Sequence, residues 1–349
     1  MPAHSHHGAP PHAPTPYAEL NAVLAHLLEG VRAALKENFL GAYLQGSFAV
    51  GDFTEWSDCD FIVVTHRDLT ADEVAALQAL HAAIHQLPHA YWRTGLEGSY
   101  APAAILRRLE GTPRDPPGEP RAPDWADPGR SGAPAEAYPF WYLDHGADRL
   151  VRSEHDNTDV VRWCLREKGV VLAGPQPREL IDPVTPAMLR SEVSRTLDLV
   201  LQLDLEPMHL VAWQAFWVGL FCRMLHTIAT GAVHSKKASL AWAQHALDTK
   251  WRELIGRAAA VRKGDEAQAG RPADPDDVAA TREFGRYARA FADQQIRSRD
   301  MLERKMAQSR GQGGGFQAGR PGRSPNAGGG RGGQFTPPPM RPGGRRGRG

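Results

Sequence analysis

A chain of 349 residues is long enough for two domains. Its formal charge is +1, but eight arginines and no acid or lysine lie beyond Gln308, so residues 1–308 carry −7. A mildly acidic body argues against a broad basic groove for a long nucleic acid. Cys59, Cys164 and Cys222 show no paired spacing, which excludes a disulfide framework and predicts a reduced, cytoplasmic setting without a signal peptide.

Residues 1–16, rich in His, Pro and Ala, read as a disordered leader. Leu20, Val23, Leu24, Leu27, Leu28 and Val31 then follow helical spacing and predict an amphipathic helix over 17–36. A strand over 39–44 runs into Gly46-Ser47. A polar turn, 51–57, separates that pair from Asp58-Cys59-Asp60 and a second strand over 61–65. Thr70 and Glu73 form a capping-box pattern for a helix ending near Gln86, with Val74, Leu77, Leu80, Ala83 and Ile84 buried. His81, His85 and His89 recur every four residues without an acidic or thiol partner, and are expected on its solvated surface. A third strand is predicted over 96–100, carrying Glu97.

Residues 107–137 are rich in proline and charge, and read as a long surface insertion. A hairpin around Asp144-His145-Gly146, a helix over 158–168 and a strand over 170–172 complete an N-terminal domain, 17–184. Beyond Pro186 strand signals stop. Helices are predicted over 187–203, 208–230, 236–245, 250–262 and 276–307, making an all-α domain, 185–308. The apolar run 210–228 is broken by Gln214, Arg223 and His226, so a core helix is expected there, not a membrane span. Residues 309–349 are dominated by glycine and arginine and are predicted to be a disordered tail, able to bind RNA through charge and stacking or to serve only as a solvated extension.

The chemistry-bearing stretch is Gly46-Ser47 followed by Asp58 and Asp60. Side chains two apart on a strand share a face, so the two carboxylates stand together beside a turn whose N–H groups can receive a phosphate. Paired carboxylates of this kind suit Mg²⁺ carrying a substrate phosphate. Glu97, on a neighbouring strand, is the candidate third carboxylate. The bland alternatives are aspartates that cap a strand-entry turn and a lone exposed strand glutamate.

This pattern resembles the DNA-polymerase-β-like nucleotidyltransferase superfamily. Within it, the chain is similar to aminoglycoside adenylyltransferases of the streptomycin/spectinomycin type. The resemblance rests on Gly46-Ser47, Ser57-Asp58-Cys59-Asp60, Leu96-Glu97, Gly174-Pro175, Asp182-Pro183-Val184, and Arg223 followed by Lys236 and Trp242. It implies an α+β nucleotidyltransferase domain with a mixed sheet, followed by a helical-bundle domain, with ATP between the two. It also implies two Mg²⁺ ions on Asp58 and Asp60, with Glu97 as ligand or base. Ser47, Ser57, Arg223 and Lys236 would then meet the phosphates, and Asn157 would help to hold the nucleotide. The implied reaction is transfer of AMP from ATP to a hydroxyl of a small molecule. The alternative is a nucleotide-binding regulatory or RNA-associated protein. Where streptomycin binders of the family carry acids, this chain has His209 and Trp213. With Phe216 and Trp217 they make an aromatic face whose simplest reading is core.

Overall fold

Six strands are laid down by the short β-branched and aromatic runs of the first half. They are β1 Phe39–Leu44, β2 Cys59–Thr65, β3 Leu96–Pro102, β4 Phe140–Leu143, β5 Leu150–Ser153 and β6 Val170–Ala173. They form one mixed sheet in the order β5-β4-β3-β2-β1-β6. Only β2 and β3 run parallel; the other neighbours are antiparallel. A parallel pair needs a crossover, and it is supplied by helix α3, Ala71–Ile84. The structure, a computed structural model, describes residues 13–54, 57–89, 91–107, 139–202, 206–261 and 270–312.

The alternation of a strand sorts the sheet into two faces. Ala42, Leu44, Phe61, Val63 and Tyr100 pack with Leu20, Val23, Leu24, Leu27 and Leu77, from α3 and from helix α1, Ala18–Leu35. Tyr43, Ile62, Val64 and Ala101 turn the other way, onto Leu106, Leu165 and Ile181. Those residues lie on or beside helices α4 (Ala103–Leu106), α5 (Asp159–Lys168) and α6 (Pro177–Leu180). Between β1 and β2 the chain forms one more short helix, α2, Gly46–Val50, where the sequence predicts a turn.

Thr70 begins α3 with the reciprocal capping box that its sequence predicts. Such a cap contributes about 1 kcal/mol. Two expectations on this helix are corrected. His81 is buried, 1 % exposed, with its Nε2 2.8 Å from the Tyr100 hydroxyl. It lies four residues after Leu77 and three before Ile84, hence on the packed stripe, and burial pushes its pKa down to about 4. Ala83, one step of about 100° off that stripe, is exposed.

The second half is helical, as its sequence predicts: α7 Pro186–Gln202, α8 Val211–Thr230, α9 Lys236–Ala246, α10 Arg252–Val261 and α11 Pro275–Gln312. Val218, Phe221, Cys222, Leu225 and Ile228 of α8 are its centre, packed with Leu197, Val200, Leu240, Ile255, Phe284 and Ala288. The predicted helix over 208–230 is divided, because Glu206–His209 form a separate 3₁₀ turn. Among the described residues no helix is long and apolar enough to cross a membrane. All three cysteines are buried free thiols.

Sheet and bundle belong to one compact unit, Met1–Met301. They meet at an apolar seam of Cys164, Val184, Leu189 and Val233. Two hydrogen bonds cross beside it: the Lys237 amide donates to Asp52 Oδ2 (2.8 Å), and the Asp159 amide donates to Glu192 Oε2 (2.6 Å). The second unit is Leu302–Gly349, whose described residues continue α11. Helix therefore reaches four residues into the predicted tail. Thr15, inside the predicted leader, is buried and its Oγ1 is 2.8 Å from Asn21 Oδ1. Residues 1–12, most of the proline-rich insertion and the tail beyond 312 lie outside the described residues.

Candidate active site

Asp60 on β2 and Glu97 on β3 stand directly opposite each other in the parallel register. Asp58 immediately precedes β2, on the same side as Asp60 by strand alternation. The chain leaving β1 folds over this edge, and the Gln45 amide donates to the Asp60 carbonyl at 2.9 Å. Gly46 follows with a left-handed φ of +57°, and a Cβ there would lie 1.8 Å from Asp60 Oδ2. Only glycine lets the backbone close over that carboxylate. Gly46→Ala should therefore cost about 1–2 kcal/mol of stability from the backbone conformation alone. Displacing Asp60 by an ångström should lower turnover about a hundredfold. Thermal melts and steady-state rates check this, and wild-type turnover in the variant would contradict it.

Sequence reasoning misses the groups that hold these carboxylates. Asp156, buried, accepts from Gln45 Nε2 (3.0 Å) and from the Ser99 hydroxyl (2.6 Å), and its charge acts on Asp60 and Glu97. Tyr142 on β4 donates to Glu97 Oε1 at 2.5 Å. His155 stacks on the Tyr142 ring at 4.5 Å, with Nε2 3.5 Å from the same oxygen. His145, in the β4–β5 turn, brings Nδ1 to 2.8 Å from Asp58 Oδ1. The one available signal is the run Glu154-His155-Asp156-Asn157, in which the acid facing the site precedes Asn157. Asn157 itself is held locally: its Nδ2 donates to Glu154 Oε2 at 2.7 Å, and its Oδ1 accepts from Arg162.

Crowded carboxylates resist ionisation. Burial, followed by the charges of Glu97, Asp156 and Asp58, pushes Asp60 up to about 7, against a lowering by Lys236. Burial also raises Glu97, while the Tyr142 hydrogen bond and His155 lower it. Arg223 of α8 carries a charge that burial disfavours, balanced by Cys164, Asp60 and Asp52. Among the described residues it makes no hydrogen bond or ion pair. Arg223 and Lys236 thus bring positive charge from the bundle to Asp60 on the sheet.

The remaining expected residues divide. The Ser47 hydroxyl is buried without a hydrogen-bond partner. Ser57 Oγ instead accepts from the Thr54 amide at 2.8 Å and closes its own turn. Trp242 stacks on His226 at 4.6 Å within the bundle. The aromatic face of α8 is not all core. Trp217 is 4 % exposed, but Trp213 and Phe216 are 47 % and 42 % exposed. With Leu220 and Arg223 they fall on one side of the helix.

The donor set suits divalent cations. Side-chain oxygens of Asp58 and Glu97 and a ring nitrogen of His145 lie within 4.8 Å of one another, with Asp60 opposite Glu97 in the adjoining register. Repulsion among the carboxylates is what a bound cation relieves. The Ser47 hydroxyl, buried without a partner next to Gly46, is an unspent polar group at the same edge.

The nucleotidyltransferase domain family matches residues 28–106, which contain Gly46, Asp58, Asp60 and Glu97. The family described as aminoglycoside adenylyltransferase, C-terminal domain, matches residues 179–286, which contain Arg223 and Lys236. None of the curated proteins matches the chain significantly. A solved structure similar in fold is the spectinomycin adenyltransferase AAD(9) from Enterococcus faecialis with ATP and spectinomycin. It shares 16 % identity at a TM-score of 0.53, over 78 % of this chain and 98 % of that one. The two family matches thus lie in order along the chain, a nucleotidyltransferase domain followed by a C-terminal domain like that of the aminoglycoside adenylyltransferases, and the fold is similar to that of AAD(9).

Proposed function

We propose that the protein transfers AMP from ATP to a hydroxyl of a small molecule, at an active site between residues 17–184 and 185–308 acting as two domains. The observation that carries this reading is the convergence of Asp58, Asp60 and Glu97 under Gly46, with Arg223 and Lys236 of the bundle acting on Asp60. Asp58 and Asp60 would hold two Mg²⁺ ions, with Glu97 as a further ligand or as the base. Bound ions of this kind supply Lewis-acid activation of the acceptor hydroxyl and neutralise charge on the triphosphate.

The protein groups do the rest. Glu97, its Oε1 engaged by Tyr142, retains Oε2 to take the acceptor proton. Asp156 fixes Gln45 and Ser99, and through them the edge on which Asp60 stands. Arg223 and Lys236 offset negative charge that develops on the departing pyrophosphate. The Ser47 hydroxyl donates to a phosphate oxygen. AAD(9) was solved with spectinomycin; here His209 and Trp213 stand where a strongly cationic aminoglycoside would need carboxylates. An acceptor of lower positive charge than streptomycin is therefore expected.

Pyrophosphate release with ATP and Mg²⁺, measured across a panel of hydroxylated acceptors from polycationic to neutral, tests this. Release should require an acceptor and should be weakest with streptomycin. In Glu97→Gln, turnover should fall about 10²- to 10⁴-fold, while ATP affinity by calorimetry stays near wild type. An ATP affinity that collapses in step with the rate would make Glu97 a nucleotide-side or structural residue.

A further inference from the structure

The β4–β5 turn is held against the site more firmly than a surface hairpin needs. Gly146, at φ +73°, donates its amide to the Thr94 carbonyl (3.0 Å), just ahead of β3. Asp144 Oδ1 accepts from the His145 amide at 2.9 Å, and the Ala147 amide closes the turn onto the Asp144 carbonyl at 3.0 Å. These bonds aim the His145 ring at Asp58, with Nδ1 2.8 Å from Oδ1. Glu97 completes a set of one nitrogen and two oxygens within 4.8 Å. A first-row ion about 2.0–2.2 Å from each donor spans atoms up to about 4.4 Å apart. A shift of a few tenths of an ångström therefore closes the set.

We propose that His145 is a nitrogen ligand to a divalent cation shared with Asp58 and Glu97, and that the site accordingly prefers borderline first-row ions such as Co²⁺ to Mg²⁺. This rests on the carboxylate-held metal of the proposed function and adds a ligand to it. Mg²⁺ is bound through oxygen and keeps its waters, whereas imidazole suits the later first-row ions. Coordination through Nδ1 needs the neutral ring with its proton on Nε2, which the exposed turn leaves open to water.

The test uses the full chain, stripped of metal and without nucleotide. Co²⁺ and Mg²⁺ are titrated separately by calorimetry, and the visible Co²⁺ absorption reports coordination. His4, His6, His7 and His12 remain in every variant, so any Co²⁺ they bind is a constant background. His145→Ala should weaken Co²⁺ binding at least about tenfold, change the visible bands and leave Mg²⁺ affinity unaltered. His145→Asp, with an oxygen in place of the nitrogen, should shift the preference toward Mg²⁺. If Asp58→Asn abolishes the site but His145→Ala leaves Co²⁺ affinity and spectrum unchanged, His145 is only a hydrogen-bond partner and the inference fails while the carboxylate site stands. If Asp58→Asn changes neither ion's binding, the carboxylate site fails too.

Discussion

Asp60→Asn should lose at least about a thousandfold in turnover and yet gain stability in the absence of metal. The loss follows from removing a charged oxygen donor at the reaction centre, a matter of several kcal/mol, at about 1.4 kcal/mol per decade. The gain follows from electrostatics. Asp60 titrates at about 7 in the metal-free fold, against 3.8 for an ordinary aspartate. The folded chain therefore holds this proton more tightly than the unfolded chain does. The stabilisation is complete below about pH 4 and is lost as pH rises through about 7. The amide that replaces the carboxyl cannot ionise, so the variant escapes that loss. In EDTA the variant should match wild type near pH 4 and exceed it by about 2–4 kcal/mol at about pH 8. Denaturant melts at several pH values, with rates beside them, measure both effects. An inactive variant that is less stable at that higher pH would mean that Asp60 serves the fold.

The second large effect is expected at Arg223. Its guanidinium is partly buried, which disfavours its charge, makes no hydrogen bond or ion pair among the described residues, and is offset only by the charges of Asp60 and Asp52 at a distance. A charge kept in that state is costly to the fold, which points to a ligand. Arg223→Met keeps most of the aliphatic bulk and removes the charge. It should lower kcat/KM for ATP by about 10²- to 10³-fold, the range for losing one charge-stabilising group in a transition state. The fold should melt no lower than wild type, since no ion pair is broken. Steady-state kinetics beside a thermal melt decide this. A rate within a few-fold of wild type would remove Arg223 from the phosphate site.

The parts legible in the sequence are those governed by local rules. The β-branched runs and the Thr70–Glu73 box each predict an element that is present. The spacing of Asp58 and Asp60 places both on one strand edge. What stays hidden depends on contacts across the sheet. Asp156 reaches the site because β5 returns beside β4 and delivers the following loop under Ser99. No spacing in the chain encodes that. Tyr142 and His145 read only as hairpin residues because their partners, Glu97 and Asp58, lie tens of residues away. His81 misleads for the same reason. Its partner Tyr100 is on β3, so a polar ring can be buried with its nitrogen satisfied. Trp213 and Phe216 mislead in the opposite direction, since a rich apolar helix predicts core on all sides and α8 still keeps one side exposed.

The central claim is that this edge of the sheet transfers a nucleotide to a hydroxylated acceptor. The most direct measurement is mass spectrometry of the acceptor after incubation with ATP and divalent cation, with pyrophosphate quantified in the same tube. The account predicts one adenylylated acceptor per pyrophosphate released by the wild-type chain, and neither product from Asp60→Asn. Pyrophosphate or phosphate released without modification of any acceptor, or product formed equally well by Asp60→Asn, would contradict it.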